Sequence, residues 1–314
     1  MKLALLFPGQ GAQYVGMGLG LRDSYPAARE IFERADAALG FALTRIMFEG
    51  PEDELRLTHN TQPAILVHSV AAWTVAREFL PPAASAAGHS LGEYSALVAA
   101  EALTFEDAVR TVRARGELML RAGQERPGAM AAILNLAPAE VEAACLEAGG
   151  TVVPANLNSP GQIVISGEVD AVERAMERCK ARGAKRAIRL EVSGAFHSPL
   201  MAPAAEGLRP CLEALDIRPA RIPVIANVSG EPVSSPREIR DALGRQVLGA
   251  VRWEPTMRRF LAGGARRFVE LGPGKVLRGL VKTVDGSVEL LGVDGPADVE
   301  PLRKALEPTG GSPA

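Results

Sequence analysis

Gly88-His89-Ser90-Leu91-Gly92 constrains this chain more than any other stretch. It stands between a run of small residues, Ala83 to Ala87, and an apolar periodic run that begins at Leu91. A Gly-x-Ser-x-Gly pattern where a strand hands over to a helix reads as a nucleophile elbow, with the serine in a strained tight turn and its hydroxyl lifted clear of the backbone. The glycines have a mechanical role: without a Cβ at 88 and 92, strand and helix pass closer than larger residues permit. A helix opening at Ser90 aims the free amide of Leu91 at the oxygen of an attacked acyl group. Chance yields this pattern in a glycine-rich chain with odds on the order of one in ten, so context must decide. Leu91, Tyr94, Ser95, Val98 and Ala99 supply an inward helix face. On the strand side, alanine and serine are poor β-formers, and only burial makes Ala83 to Ala87 a strand.

Such an elbow needs a large core around it. The chain has 314 residues, 47% hydrophobic and 23% charged, enough for one large core or a core with an inserted second domain. A net charge of −2 argues against a nucleic-acid-binding surface over the whole molecule, although Lys185, Arg186 and Arg189, and Arg266-Arg267, form local basic groups. Leu3 to Phe7 is an apolar run stopped by Pro8-Gly9, too short for a signal-peptide core, and reads as a first buried strand. No apolar run reaches membrane-spanning length, so a soluble, cytoplasmic protein is expected. Cys145, Cys179 and Cys211 are odd in number and far apart, which predicts reduced structural thiols and no metal site.

After the strand Lys2 to Phe7 comes Pro8-Gly9-Gln10-Gly11-Ala12-Gln13, a turn whose amides could approach a ligand closely. It is no dinucleotide fingerprint, because Tyr14 stands where a third glycine would be. Helical patterns cover Ala27 to Leu39 and Gln62 to Phe79, and Pro81-Pro82 ends the second before the elbow. Thr104 caps a further helix to about Ala122, on whose apolar stripe Arg115 falls between Val112 and Met119. Spacing alone favours an arginine snorkelling to the rim over one facing a buried anion.

From Gly128 to Val192 the order strand, helix, strand, strand, helix, strand predicts a ferredoxin-like βαββαβ unit, inserted because elements like the first part resume afterwards. The boundaries expected are a discontinuous main domain of 1–125 and 195–308, an insert of 126–194, and a flexible tail of 309–314. Beyond the insert, Ser198 and Pro199 open a helix, Pro223 to Asn227 is a strand, and Ser235-Pro236 opens a helix carrying Ile239, Leu243, Gln246 and Val247 on one side. Trp253 to Ala262, Val276 to Thr283 and Asp298 to Leu306 read as helices, Arg267 to Leu271 and Val288 to Val293 as strands.

A serine nucleophile needs a base, and four histidines are available. His89 is turned away by the elbow and reads as its structural partner. His59 lies in the polar stretch Thr58-His59-Asn60-Thr61 and reads as solvated, while His68 reads as a satisfied core histidine. His197, in a loop after Gly194 and before a capped helix, is the leading candidate. No aspartate stands in an obvious third position: Asp241, Asp285, Asp294 and Asp298 read as surface or helix-start acids. Either the orienting acid is hidden or a backbone carbonyl holds the histidine.

Together with the elbow, Phe7-Pro8-Gly9-Gln10-Gly11-Ala12-Gln13, Thr61-Gln62-Pro63-Ala64, Arg115-Gly116, Asn156-x-Asn158-Ser159-Pro160-Gly161-Gln162, Ala195-Phe196-His197-Ser198 and Glu270-Leu271-Gly272-Pro273-Gly274-Lys275 form an ordered series. The series, and Glu93-Tyr94 after the elbow, resembles the malonyl-CoA:acyl carrier protein transacylases over nearly the whole chain. That resemblance implies an α/β-hydrolase-like core with a ferredoxin-like insert. It implies Ser90 as the acylated nucleophile, His197 as its base, the amides of Gln10 and Leu91 as oxyanion hole, and Gln246 as the residue whose carbonyl orients His197. Arg115 would pair with the malonyl carboxylate, with Met119 and Phe196 beside the acyl group. Substrates would be malonyl-CoA and a holo acyl carrier protein, with no cofactor, no metal, no nucleic-acid or membrane partner, and a monomeric chain. Lys185, Arg186, Lys275 and Arg278 are candidates for docking the acidic carrier. The rival readings are a serine thioesterase or hydrolase on the same elbow and an inactive carrier-docking scaffold.

Overall fold

Strand β1 (Lys2–Phe7) lies inside the larger of two sheets, and its sequence accounts for the position. Leu3, Leu5 and Phe7 enter the core on one face while Ala4 and Leu6 enter the core on the other, the unbroken apolar pattern of a strand covered on both sides. The computed structural model describes residues 1–307; the tail expected at 309–314 lies outside the described residues. The other strands are β2 (Ala83–Gly88), β3 (Gly128–Leu134), β4 (Val152–Ser159), β5 (Gln162–Glu168), β6 (Arg186–Arg189), β7 (Val224–Ile225), β8 (Pro232–Val233), β9 (Ala265–Leu271) and β10 (Glu289–Val293).

The larger sheet has the order β10-β9-β1-β2-β7-β8, parallel throughout except for the edge strand β8. Register sets Leu5 beside Ala86, Leu6 beside Ala87 and Phe7 beside Gly88, so β1 and β2 end level with each other. Strand β2 forms as expected, but burial accounts only for its second half: Ala86 and Ala87 are buried while Ala84 is exposed, so the first residues are held by pairing with β1, Ala83 beside Leu3 and Ser85 beside Ala4. Helices Thr58–Ala76, Gly92–Ala99 and Phe105–Glu125 contribute to the core on one face; Trp253–Ala262 and Val276–Val284 cover the other. The chain runs outward from β1 to β2 and β7, then returns to the other side of β1 as β9 and β10. In open α/β sheets the ends of strands at such a reversal are where ligands bind.

The smaller sheet, β4-β5-β3-β6, is antiparallel throughout and carries helices Pro138–Ala148 and Val169–Ala181 on one face. It is the ferredoxin-like insert on an α/β-hydrolase-like core. Alternation along β3 explains its seat: Ala129, Ala131 and Ile133 pack under those helices, while Met130 and Ala132 join the main core. Two backbone bonds fasten the insert to the main sheet's far face, Leu157 N to Val251 O at 2.9 Å and Val251 N to Ala155 O at 2.8 Å. All three cysteines are free, and burial pushes the Cys145 thiol up to about 12.

Several boundaries differ from the sequence reading: the strand expected over Pro223 to Asn227 is only Val224–Ile225, and two helix starts move for reasons that side-chain hydrogen bonds make plain. The helix expected from Gln62 begins at Thr58, taking His59 into its first turn. Pro63 is tolerated there because the carbonyl it leaves without an amide donor, that of His59, accepts from Arg113 Nη1 at 3.0 Å. The last helix begins at Pro296 rather than Asp298, since Asp298 caps it by accepting from the amides of Asp294 and Gly295. No helix among the described residues is long and apolar enough to cross a membrane.

Candidate active site

Ser90 joins the end of β2 to helix Gly92–Ala99 with φ at 52°, a left-handed conformation that costs a non-glycine residue free energy. The helix opens two residues later than the sequence suggested, with Leu91 at its N-cap. A Cβ on Gly88 would overlap the carbonyl of Gly92, and one on Gly92 would lie 2.7 Å from the Pro8 oxygen, so glycine is required at both. The turn is held by Asn227, whose Oδ1 accepts from the Ser90 amide at 2.6 Å and whose Nδ2 donates to Gly88 O at 2.7 Å. The amides of Leu91 and Gln10 donate to no acceptor among the described residues. Both belong to turns that leave the ends of adjacent strands, β2 and β1.

His197 is a second residue with left-handed backbone, φ 57°, held where Ser198 Oγ donates to Ala195 O at 2.6 Å and accepts from Leu200 N at 3.3 Å. Its Nδ1 lies 3.0 Å from Gln246 O and 3.1 Å from Gly249 O. Two carbonyls there set the proton on Nδ1 and leave the Nε2 lone pair to accept from Ser90 Oγ at 2.8 Å. Burial, and after it the Arg115 charge, pulls His197 down to about 3, so the ring is neutral.

Arg115 does not snorkel. It is 1% exposed, and its guanidinium turns inward to donate to Gln62 Oε1 at 2.5 Å, Ser90 Oγ at 3.0 Å and Gln246 Oε1 at 3.1 Å. All three partners are uncharged, and among the described residues its Nε has none. A buried cation with neutral partners is ready for an anion. Ser90, His197, Arg115, Gln62, Met119 and Phe196 line one cavity of about 120 Å³. Beside it a second, of about 240 Å³, runs between the Gly9–Ala12 turn and Asn156, Gln162, Val276 and Leu280.

The remaining histidines are accounted for. His89 Nε2 meets Asn158 Oδ1 at 2.9 Å and its ring lies 5.5 Å from that of Trp253, pinning the elbow to the insert. His68 is a core histidine as expected but only half satisfied: it is fully buried with Nε2 2.7 Å from Asp294 O, while its Nδ1 has no partner among the described residues. His59 is half-buried on a helix, not solvated in a loop, because Thr58, Asn60 and Thr61 are themselves buried and bonded. Lys185, Arg186 and Lys275 are exposed, whereas Arg278 is turned inward to buried Glu270, 3.3 Å away. Sequence reasoning missed Asn227, Gly249, Gln62 as a partner of Arg115, and Glu93, a buried carboxyl three residues past Ser90. Burial lifts Glu93 to about 7, against the pull of the Asn227 amide and Gln246.

These two displaced groups give opposite pH dependences of stability. His197 falls from the ordinary 6.5 to about 3, so its contribution is present above pH 6.5 and lost on acidification toward 3. Glu93 rises from 4.5 to about 7, so its contribution is present below pH 4.5 and lost as pH climbs through 7. Urea unfolding across this range should find wild type losing ground to His197→Gln on acidification and to Glu93→Gln on alkalinisation. Gaps that do not move with pH would contradict both.

A model of the acyl transferase domain family matches residues 4–295. The chain belongs to that family. Within it, the chain is 49% identical over 309 residues to the malonyl CoA-acyl carrier protein transacylase of Bacillus subtilis (strain 168), with 98% of each covered. An acyl carrier protein S-malonyltransferase from Vibrio cholerae O1 superposes with a TM-score of 0.93 at 43% identity, covering 96% of this chain and 100% of that one. A malonyl-transacylase in complex with its type II PKS acyl-carrier protein gives 0.94 at 42% identity, covering 97% and 100%. These two structures share the fold over nearly the whole of this chain.

Proposed function

We propose that this chain transfers a malonyl group from coenzyme A to the phosphopantetheine thiol of an acyl carrier protein, supplying fatty acid synthesis, through a malonyl-serine on Ser90. The observation that carries the reading is one oxygen with two partners: Ser90 Oγ donates to a neutral histidine at 2.8 Å and accepts from a buried arginine at 3.0 Å. Base, nucleophile and carboxylate receptor meet at a single atom.

In the first half-reaction His197 Nε2 takes the Ser90 proton as Oγ attacks the thioester carbonyl, and the amides of Leu91 and Gln10 receive the oxyanion. Collapse breaks the carbon–sulfur bond, and the departing coenzyme A thiolate takes the proton back from His197. In the second half the carrier thiol gives its proton to Nε2, attacks the acyl-serine, and leaves Ser90 reprotonated. Exchange between thiols is nearly thermoneutral, which suits a covalent intermediate. A malonyl carboxylate on Arg115 removes one cause of the low His197 basicity. Even so, a histidine held by carbonyls is a weak base, able to activate a thiol of pKa about 8.5 far more readily than water near 15.7.

Initial rates measured against both substrates test this reading: parallel double-reciprocal lines and malonyl-carrier as product are expected. Free malonate formed equally fast without carrier would establish a hydrolase instead, and no turnover a scaffold. Carrier docking gives a separate prediction. Lys275 precedes Val276 of the second cavity, and Arg186 pairs with Leu134, itself opposite Gln162. Reversing charge at Lys185, Arg186 or Lys275 should raise KM for carrier severalfold, less at high salt, while sparing acylation by malonyl-CoA. Equal damage to both half-reactions would contradict it. Arg278 is left out of that test because a carboxylate there would face Glu270.

A further inference from the structure

Glu93, in the first turn of helix Gly92–Ala99, is 1% exposed, yet no step above uses it. A buried carboxyl is costly unless its oxygens are hydrogen-bonded, so its partners are informative. Oε2 accepts from Gln246 Nε2 at 2.8 Å and from the Asn227 amide at 2.9 Å. Those two residues hold the machinery. Asn227 spans the elbow from Gly88 O to the Ser90 amide. Gln246 accepts from His197 Nδ1 with its carbonyl and from Arg115 Nη2 with Oε1, and its Nε2 also donates to Ser90 O at 3.0 Å. The geometry points to Glu93 as a positioning residue: one oxygen fixes Gln246 and Asn227 together, and through them the Ser90 turn, the His197 ring and the Arg115 fork.

The Gln246 amide stands between Glu93 and Arg115, and that arrangement has a chemical reason. A carboxylate bonded directly to Arg115 would occupy the donors that a substrate carboxylate needs. A neutral amide oxygen fixes the guanidinium and leaves its charge uncompensated at the site. Asn227 and Gln246 are far from Glu93 in sequence, and among the described residues no other carboxyl bonds either of them. Positioning requires an acceptor lone pair and not a charge, since a protonated carboxyl still accepts through its carbonyl oxygen. Glutamine at 93 keeps such an oxygen; alanine does not.

This inference rests on Ser90 being the acylated residue, so wild type is measured alongside the variants. Single-turnover acylation by malonyl-CoA and by acetyl-CoA is followed as rate per labelled site, with thermal unfolding in parallel. Glu93→Ala is expected to slow the saturating rate with both donors by about a hundredfold, with little change in the malonyl-CoA concentration giving half that rate. Glu93→Gln should return to within about tenfold of wild type. A purely structural role would reduce the number of labelled sites and the melting temperature but leave the rate per site unchanged, which would overturn the assignment. So would equal rates for the two variants, or a change confined to the half-saturating concentration. If wild type itself takes up no acyl group, the functional reading falls and this inference with it; if wild type is acylated and Glu93→Ala matches it, only the inference falls.

Discussion

Ser90→Ala should take up no malonyl group, and transfer should fall by roughly five to six orders of magnitude, the scale seen when a serine nucleophile is removed from a working site. The change deletes a hydroxyl facing the cavity and no core volume, so the fold should stay intact. Left-handed backbone is as awkward for alanine as for serine, and the turn remains tied by Asn227 through the residue 90 amide. Loss of label with an unchanged unfolding transition separates chemistry from folding. Substantial transfer by the variant would remove Ser90 from the mechanism.

Arg115→Ala should lose malonyl transfer and gain acetyl transfer. Charge-assisted hydrogen bonds contribute about 1.5–3 kcal/mol each, so losing the carboxylate's receptor should lower kcat/KM for malonyl-CoA at least ten- to a hundredfold. Acetyl-CoA has no carboxylate, and in the wild type it leaves a buried guanidinium with uncharged partners only. The variant abolishes that penalty. It also removes a donor from Ser90 Oγ, which frees a lone pair of the nucleophile whatever the acyl group. Arg115→Lys should rescue malonyl transfer only in part, because a point charge cannot reproduce a planar fork already aligned by Gln62 and Gln246. Parallel loss with both donors would make Arg115 a structural residue.

The contrast between Arg115 and Ser90 indicates how far a sequence can be read. Ser90 was legible because its signal is local: two glycines, a strand before and a helix after. Spacing placed Arg115 on the inward stripe of its helix but could not say whether that stripe met hydrophobic core or a polar cavity, and the snorkelling that spacing favoured is overturned by three inward hydrogen bonds. The resemblance supplied what periodicity lacked. Glu93 was in plain view within the motif, but its meaning depends on two residues that only tertiary closure brings to it. Gly249 acts through a carbonyl, which leaves no side-chain trace. The start of helix Thr58–Ala76 was hidden for the opposite reason, since Asn60 and Thr61 look like loop residues until their bonds to Glu54 O and Leu55 O are seen.

The central claim is an acyl group held on Ser90 that waits for a thiol. Incubating the chain with malonyl-CoA alone, then mapping the added mass by proteolysis before and after adding holo carrier protein, tests it most directly. One malonyl group per chain on the Ser90 peptide, persisting in buffer and moving to the carrier thiol when carrier is added, is the predicted result. Label on another residue, or a malonyl-serine lost to water as fast without carrier as with it, would contradict the account.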